Sequence, residues 1–191
     1  MDVIGAFCGL VILSPLLLGI TLYLFFTMEM KPFFFQRRTG IHGKYFTLIK
    51  FKTMKDDSGN DGGMTNKDRI TKFGAFLRNT SIDEFPQLLH VVKGDMSLVG
   101  PRPLLPEYLP LYSETQRRRF EVLPGITGWA QINGRNTITW AQKFTYDVWY
   151  VDHLGFLLDM KILFTTIFKM FSGQDINNSE QQTMPKFNGS N

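Results

Sequence analysis

The sequence predicts a mainly helical α+β protein with a small β element and an apolar N-terminal segment suited to a membrane. Three observations predict this fold class: a charge-free run at residues 3–26, an alternating stretch at residues 46–54, and apolar residues at helical spacing in much of the remainder. We accordingly divide the 191 residues into a membrane segment at 1–30, one globular domain at 31–172 and a polar tail at 173–191.

The composition excludes several classes of protein. Hydrophobic residues make up 43% of the chain and charged residues 20%, so the chain can bury one sizeable core and is not disordered. Cys8 is the sole cysteine, which excludes an internal disulfide and a Cys-rich zinc site, and the three histidines lack zinc-ligand spacing. The net charge of +4 favours phosphate-bearing small molecules or an anionic membrane over nucleic acid.

The apolar run at 3–26 is long enough for a membrane, since 24 helical residues at about 1.5 Å each reach about 36 Å. Its charged flanks predict that it is not a cleaved signal peptide. Pro15 removes a backbone donor in the middle of the run and predicts a sharp break, where Ser14 can bond the freed backbone group. This pattern fits a kinked spanning helix and a re-entrant hairpin equally well. Basic residues that follow, such as Lys31 and Arg37, predict a cytoplasmic domain.

The next elements are a strand and two helices. Residues 46–54 alternate and are rich in aromatic and β-branched side chains, which predicts a strand with Lys50 and Lys52 on one face. Apolar residues at helical spacing predict helices at 66–79 and 88–92. A glycine and an aspartate follow the second helix and predict its end.

The stretch at 140–171 is rich in aromatic residues and predicts amphipathic helical structure. Its polar and apolar faces consist of Lys161, Thr165 and Lys169, and of Phe164, Ile167, Phe168 and Phe171, respectively. Amphipathicity alone fits a helix at the membrane interface and a helix packed on the core equally well. Trp140 and Trp149 have side chains suited to the interface.

Two adjacent carboxylates are the strongest candidates for chemistry. The segment from Ser81 to Glu84 matches a capping box, which is first of all a structural device. A helix start would keep Asp83 ionised and would also attract phosphate oxygens, so a nucleophile and its substrate would share one site. Pro86 predicts a distorted helix there.

Isolated basic residues could neutralise phosphate around this carboxylate pair. They are Lys50, Lys52, Arg78, Arg102 and Arg135. The arginine run at 117–119 predicts a solvated or lipid-facing surface instead, so we leave it out of the candidate site.

Several motifs occur in a fixed order along the chain. They are QRRTG at 36–40, KFKTM at 50–54, Asp83-Glu84, KGDMSLVGPRP at 93–103 and PGITG at 124–128. Together they resemble the bacterial sugar transferase family, the monotopic polyprenyl-phosphate phosphoglycosyl transferases. The resemblance runs from the Ser14-Pro15 pair to residues 187–189, which is nearly the whole chain.

The resemblance implies an enzyme of the bacterial inner membrane that works at its cytoplasmic face. Such an enzyme transfers a sugar 1-phosphate from a UDP-sugar to undecaprenyl or another polyprenyl phosphate, uses Mg²⁺, releases UMP and initiates glycoconjugate biosynthesis. The family pattern implies that Asp83 is the nucleophile of a covalent aspartyl intermediate and that Glu84 is tied to the metal. It also implies site positions at Arg78, Arg102, Arg135, Asp147 and Asp159.

The resemblance further implies that the membrane segment is a re-entrant hairpin broken at Ser14-Pro15 and held in membrane phospholipid. The ending at 186–189 is similar to that of small enzymes acting on N-acetylated bacillosamine-type UDP-sugars. From the residues alone, a membrane-tethered module that holds anionic lipid or nucleotide without turnover is the alternative. A nucleic-acid binder is disfavoured, because the apolar run has no place in it.

Overall fold

The computed structural model describes residues 2–56, 68–134, 138–172 and 185–190. The apolar run folds as one helix, α1 (Asp2–Thr27), which continues through Pro15, so the expected interruption of the helix is not observed. Pro15 lacks the N–H that would bond the Val11 carbonyl, and the Ser14 hydroxyl donates to that carbonyl at 2.8 Å. The expected hydrogen bond from Ser14 to a freed backbone group is therefore confirmed.

Helix α1 packs on the rest of the protein at both ends and is exposed between them. The Ser97 hydroxyl donates to the Asp2 carboxylate at 2.5 Å, and Ala6 is fully buried. Near the other end Leu24 is also fully buried, whereas Ile12 is 76% exposed. By length and composition α1 could cross a membrane, and only 11% of its most apolar stretch is buried, unlike the core helix of a soluble protein.

Two small sheets form the β part of the fold. Strands β1 (Phe33–Thr39) and β2 (Tyr45–Phe51) pair antiparallel, with a single 3-10 turn (Ile41–Gly43) between them. Strand β2 confirms most of the predicted strand, whereas β1 was not predicted because its FFFQRRT sequence does not alternate cleanly. Strands β3 (Ser97–Val99) and β4 (Gly125–Thr127) pair in parallel.

A short helical segment joins β2 to β3. Helix α2 (Lys72–Asn79) begins after Thr71, whose hydroxyl accepts a hydrogen bond from the Gly74 amide at 2.9 Å. It is shorter than the predicted helix, whose first two residues lie outside the described residues. A 3-10 helix (Ile82–Gln87) and helix α3 (Leu88–Lys93) follow. Gly94 ends α3 with a φ of 88°, as the sequence predicts.

Apart from β4, the regular elements in the second half of the described chain are helical. Its elements are a 3-10 helix (Pro106–Leu111), α4 (Glu114–Arg117), a 3-10 turn (Arg118–Phe120), α5 (Trp129–Ile132), α6 (Trp140–Asp152) and α7 (Phe156–Ser172). The predicted amphipathic region is thus two helices. On α7 the aromatic face is exposed, with Phe164 at 70% and Phe168 at 67%.

An aromatic cluster forms the core beneath α6. Its buried members are Leu104, Tyr108, Tyr112, Phe120, Trp140, Phe144 and Phe187. Trp140 is therefore a core residue and not an interface residue, because its indole donates to the Pro185 carbonyl at 2.9 Å and its ring packs on Phe144 and Phe187. The chain beyond 172 is likewise not only a polar tail, since residues 185–190 return to the core.

Candidate active site

A cavity of about 680 Å³ opens among β1, β2, the 3-10 helix at Ile82–Gln87, α5, α6 and α7. This volume is in the range that holds a small-molecule ligand. Many of the residues singled out from the sequence line it. They are Lys50, Lys52, Arg78, Asp83, Glu84, Arg102 and Asp147.

The carboxylate pair lies in the 3-10 helix and not in a capping box. Ser81 precedes this helix in the left-handed region, with a φ of 55°, and its side chain makes no capping bond. The Glu84 side chain bonds cations across the cavity instead of returning to the helix start. Pro86 cannot donate a backbone hydrogen bond, which is consistent with a 3-10 segment in place of a regular helix. The predicted capping box is therefore wrong, and the predicted distortion at Pro86 is confirmed.

Two cations fix Glu84. The Lys50 ammonium and the Arg102 guanidinium both donate to Oε1, the latter at 2.5 Å, and Arg102 also donates to Oε2 at 3.2 Å. Burial by itself would raise the pKa of Glu84, but Arg102 and Lys50 outweigh it and hold the pKa well below its ordinary value. Glu84 is consequently ionised and held in one orientation.

Asp83 is in a different electrostatic situation from its neighbour. Its side chain is buried, and within the described residues neither oxygen accepts a hydrogen bond. Burial raises the pKa of Asp83 to about 6, and the charge of Glu84 adds to this effect while Lys50 opposes it. A helix start is expected to favour the ionised form, and burial opposes it here, but a carboxyl group with a pKa of about 6 is still mostly ionised at pH 7.

A close backbone contact brings Arg78 to the cavity wall. A Cβ at position 74 would lie 2.1 Å from the Thr53 carbonyl, so only Gly74 lets α2 pack so closely on the segment after β2. Arg78 Nε then donates to the Thr53 hydroxyl at 2.8 Å. On the same side Lys52 pairs with Asp56 at 2.7 Å.

Asp147 forms a buried ion pair with Arg119. Arg119 donates from Nε and from a terminal nitrogen to Asp147 Oδ2, at 3.1 and 2.8 Å. The same terminal nitrogen donates to the Arg102 carbonyl at 2.7 Å, so the pair also positions Arg102. The prediction of a solvated arginine run is wrong for Arg119, which is 3% exposed, because the 3-10 turn directs it toward the rings of Tyr112 and Phe144.

Residues 1–173 match the family model described as bacterial sugar transferase. The chain belongs to the bacterial sugar transferase family. This membership agrees with the family that the sequence motifs resemble.

Named relatives support the same membership. The chain is 57% identical over 159 residues to the uncharacterized sugar transferase EpsL of Bacillus subtilis, covering 83% of this chain and 79% of the relative. It is 38% identical over 177 residues to the UDP-glucose:undecaprenyl-phosphate glucose-1-phosphate transferase of Xanthomonas campestris, covering 86% of this chain and 37% of the relative. It is 36% identical over 186 residues to the undecaprenyl-phosphate galactose phosphotransferase of Salmonella typhimurium, covering 86% and 38%. Against these last two transferases the chain spans well under half of the relative's length.

Two positions implied by the bacterial sugar transferase pattern are not placed in the cavity. Asp159 accepts a hydrogen bond from the Tyr150 hydroxyl at 2.7 Å and does not line the cavity. Arg135 lies outside the described residues. The roles of both residues stay predictions.

The cavity of this sugar transferase also contains residues that sequence reasoning missed. Arg38 lines it and donates to Gln36 at 2.6 Å, and burial together with Arg102 lowers the pKa of Arg38 to about 10. Burial also lowers the pKa of Lys143, on α6, to about 8. Gln131 on α5 is a further lining residue. The sequence did contain a signal for Arg38, because Gln36 and Arg38 are two positions apart and therefore lie on the same face of a strand.

Proposed function

We propose that this bacterial sugar transferase moves a sugar 1-phosphate from a UDP-sugar to undecaprenyl or another polyprenyl phosphate and releases UMP. One observation carries the proposal: within the described residues the Asp83 carboxyl group accepts no hydrogen bond, and it lies next to Glu84, which two cations hold fixed, in a cavity lined by basic side chains. The names of the Xanthomonas and Salmonella relatives support an undecaprenyl-phosphate acceptor.

The proposed reaction has two displacements at the same phosphorus atom. An Asp83 carboxylate oxygen attacks the phosphorus bonded to the sugar, and the bond from this phosphorus to the oxygen of UMP breaks. An oxygen of the lipid phosphate then attacks the phosphorus of the aspartyl intermediate and releases the Asp83 carboxylate. Lys50, Arg78 and Arg102 line the cavity and would neutralise the phosphate oxygens.

The carboxylate pair also fits a Mg²⁺ ion whose coordination shell is completed by the substrate. Among the described residues no group of three or more His, Cys, Asp and Glu could hold a metal by itself. Mg²⁺ commonly uses one or two carboxylates together with substrate phosphates and water, and Asp83 and Glu84 Oε2 retain acceptor capacity. Glu84, with Asp83 beside it, would hold the ion. When bound, Mg²⁺ neutralises negative charge on the diphosphate.

We also propose that α1 is re-entrant as an uninterrupted helix, with both ends at one face of the membrane, and that the domain lies at the cytoplasmic face of the inner membrane. The packing of both helix ends on one domain supports this topology, since the side chain of Asp2 bonds Ser97 while Leu24 packs in a core cluster with Phe51 and Leu77. A spanning helix would instead carry its N-terminus across about 30 Å of hydrocarbon, away from the domain. The exposed middle of α1 and the exposed aromatic face of α7 would then contact phospholipid.

The relatives do not specify which donor sugar this protein uses. The names of the relatives above specify glucose in one case and galactose in another, so the bacillosamine-type donor stays a prediction. Turnover of a panel of UDP-sugars, measured as UMP release with one polyprenyl phosphate acceptor, would identify the sugar.

The covalent step is tested by incubating the protein with a UDP-sugar and no lipid acceptor. We expect a phosphosugar adduct on Asp83 by mass spectrometry, UMP release with lipid present, and loss of both in Asp83→Asn. Asp152→Asn is the matched control, because Asp152 lies outside the cavity and pairs with Arg118 on the surface. Full turnover in Asp83→Asn would contradict the mechanism. If the unmutated protein binds nucleotide but releases no UMP, the non-catalytic binding module is favoured instead.

A further inference from the structure

Gln131 has a buried side-chain amide that the proposed reaction does not use. It lines the cavity, and neither its oxygen nor its nitrogen has a hydrogen-bond partner within the described residues. Most buried polar side chains find a partner, because leaving one without a hydrogen bond destabilises the folded protein. The two amide atoms are covered in this structure, so a ligand would reach them once the side chain turns toward the cavity, and an unpaired amide on a residue of the cavity wall points to such a ligand.

Within the described residues the local structure gives this amide no hydrogen-bond partner. Helix α5 begins after Gly128, where a Cβ would lie 2.2 Å from the Gly100 carbonyl and 2.9 Å from Gln131 Oε1. The absent side chain lets the amide lie against the backbone. The hydroxyls of Thr127 and Thr166, which line the same cavity, bond each other at 2.7 Å.

The chemistry of the amide restricts the ligand group that it can bind. A glutamine amide presents a donor and an acceptor side by side, and its complement is an edge that presents an acceptor beside a donor. Phosphate oxygens only accept from protein donors, and the cavity provides Lys50 and Arg102 for them. The imide edge of uracil has the complementary pattern. The acetamido group of an N-acetylated sugar has the same two kinds of atom, but on opposite sides, so it would pair with the glutamine amide through one of them.

We propose that Gln131 is a specificity-determining residue that binds an amide-type edge of the donor substrate, on its base or on its sugar. This inference rests on the proposed function, because it takes a UDP-sugar as the occupant of the cavity. In this arrangement Gln131 binds an uncharged part of the donor, and the cations around Glu84 bind its phosphate groups.

The test measures binding by calorimetry in detergent without a lipid acceptor, using UMP, UDP-glucose and UDP-N-acetylglucosamine. Gln131→Leu keeps the approximate size and removes both polar atoms, so we expect affinity to fall about tenfold for the ligand that carries the recognised edge. Gln131→Glu keeps the size but loses the amide donor and adds a negative charge, so we expect it to weaken binding of the same ligand at least as much as Gln131→Leu does. Gln87→Leu is the matched control, since the Gln87 amide nitrogen is also buried without a hydrogen-bond partner among the residues the structure describes, but Gln87 does not line the cavity.

The pattern across the three ligands identifies the source of the edge. Weaker binding of all three in Gln131→Leu supports recognition of uracil, whereas weaker binding of UDP-N-acetylglucosamine alone supports recognition of the acetamido group. Unchanged affinity for all three ligands in both Gln131→Leu and Gln131→Glu would overturn the inference. If the unmutated protein binds none of these nucleotides, the proposed function itself fails, which is a different result.

Discussion

At the scale of single residues, two neighbouring carboxyl groups differ in how easily they lose a proton. Burial dominates at Asp83 and raises its pKa to about 6, whereas two bonded cations dominate at Glu84 and lower its pKa. Such a separation between adjacent acids assigns them different chemical tasks. Glu84 is suited to a constant charge, and Asp83 is suited to act as the nucleophile once it is ionised.

This difference predicts how the first chemical step depends on pH. Only ionised Asp83 can attack phosphorus, so the rate of adduct formation should rise about tenfold per pH unit below about 6 and level off above it. Rapid quenching of the protein with UDP-sugar and no lipid, at pH 4.5 to 8, measures this rate. A rate that is flat from about pH 5 upward would contradict a raised pKa at Asp83.

The stability of the protein provides an independent check on the same pKa. A raised carboxyl pKa means that the folded protein binds more protons than the unfolded chain between about pH 4 and 6, so stability falls as pH rises through that window. Asp83→Asn removes this penalty. Its free energy of unfolding should exceed that of the unmutated protein by on the order of 3 kcal/mol at pH 8, and the difference should largely vanish near pH 4.

At the scale of secondary structure, α1 is an uninterrupted helix that contains a proline near its centre. The Ser14 hydroxyl bonds the Val11 carbonyl that Pro15 leaves without an amide donor, which lowers the cost of the proline in an apolar environment. The two ends pack on the domain through Asp2 and Leu24, so the helix is anchored twice.

Replacing Pro15 with leucine is expected to change the topology of α1. Leucine restores the backbone donor and favours a straight helix, so the segment should span the bilayer and carry its N-terminus to the far side. A cysteine at Val3, with Cys8 replaced by alanine, reports this by labelling intact cells with an impermeant reagent. We expect no external labelling with Pro15 present and clear labelling in Pro15→Leu.

A cysteine at Glu107, an exposed position in the domain, is the control for leakage of the reagent. It should stay unlabelled in intact cells in both backgrounds. External labelling at position 3 in the protein that retains Pro15 would overturn the re-entrant topology.

At the scale of the whole molecule, most of the exposed large apolar side chains of the described residues lie on α1 and α7. Ile12 on α1 and Phe164 and Phe168 on α7 are each at least two-thirds exposed. A surface of this kind on a soluble domain marks a contact with a membrane or a partner. Membership in a family with lipid-carrier transferases makes the membrane the expected contact.

We expect the double substitution Phe164→Ser and Phe168→Ser to weaken binding to phospholipid vesicles by about a hundredfold. Burying each phenylalanine in lipid contributes about 1.5–3 kcal/mol, but neither ring is part of the folded core, so the melting temperature in detergent should hardly change. Vesicle flotation and thermal unfolding measure the two effects. Leu111→Ser, at an exposed position on a different helix, should leave vesicle binding unchanged, and equal binding by all three proteins would contradict the interfacial role of α7.

Features that depend on a few consecutive residues were predictable from the sequence. The charge-free run predicted α1, the alternation predicted most of β2, and the glycine after α3 predicted its end. The pairing of Asp83 with Glu84 and the presence of basic residues around them were also evident. Each of these follows from backbone preference or hydrophobicity over short distances, which the sequence records directly.

Only the tertiary structure decided the partners of charged and aromatic side chains. Glu84 bonds Lys50, 34 positions away, and Asp147 bonds Arg119, 28 positions away, so no local pattern could separate Arg119 from its solvated neighbours. Trp140 is a core residue because the Pro185 carbonyl and Phe187 return to it from 45 positions or more along the chain. The physical reason is that burial and low dielectric strength set the energy of these contacts, and both depend on which distant segments the fold brings together.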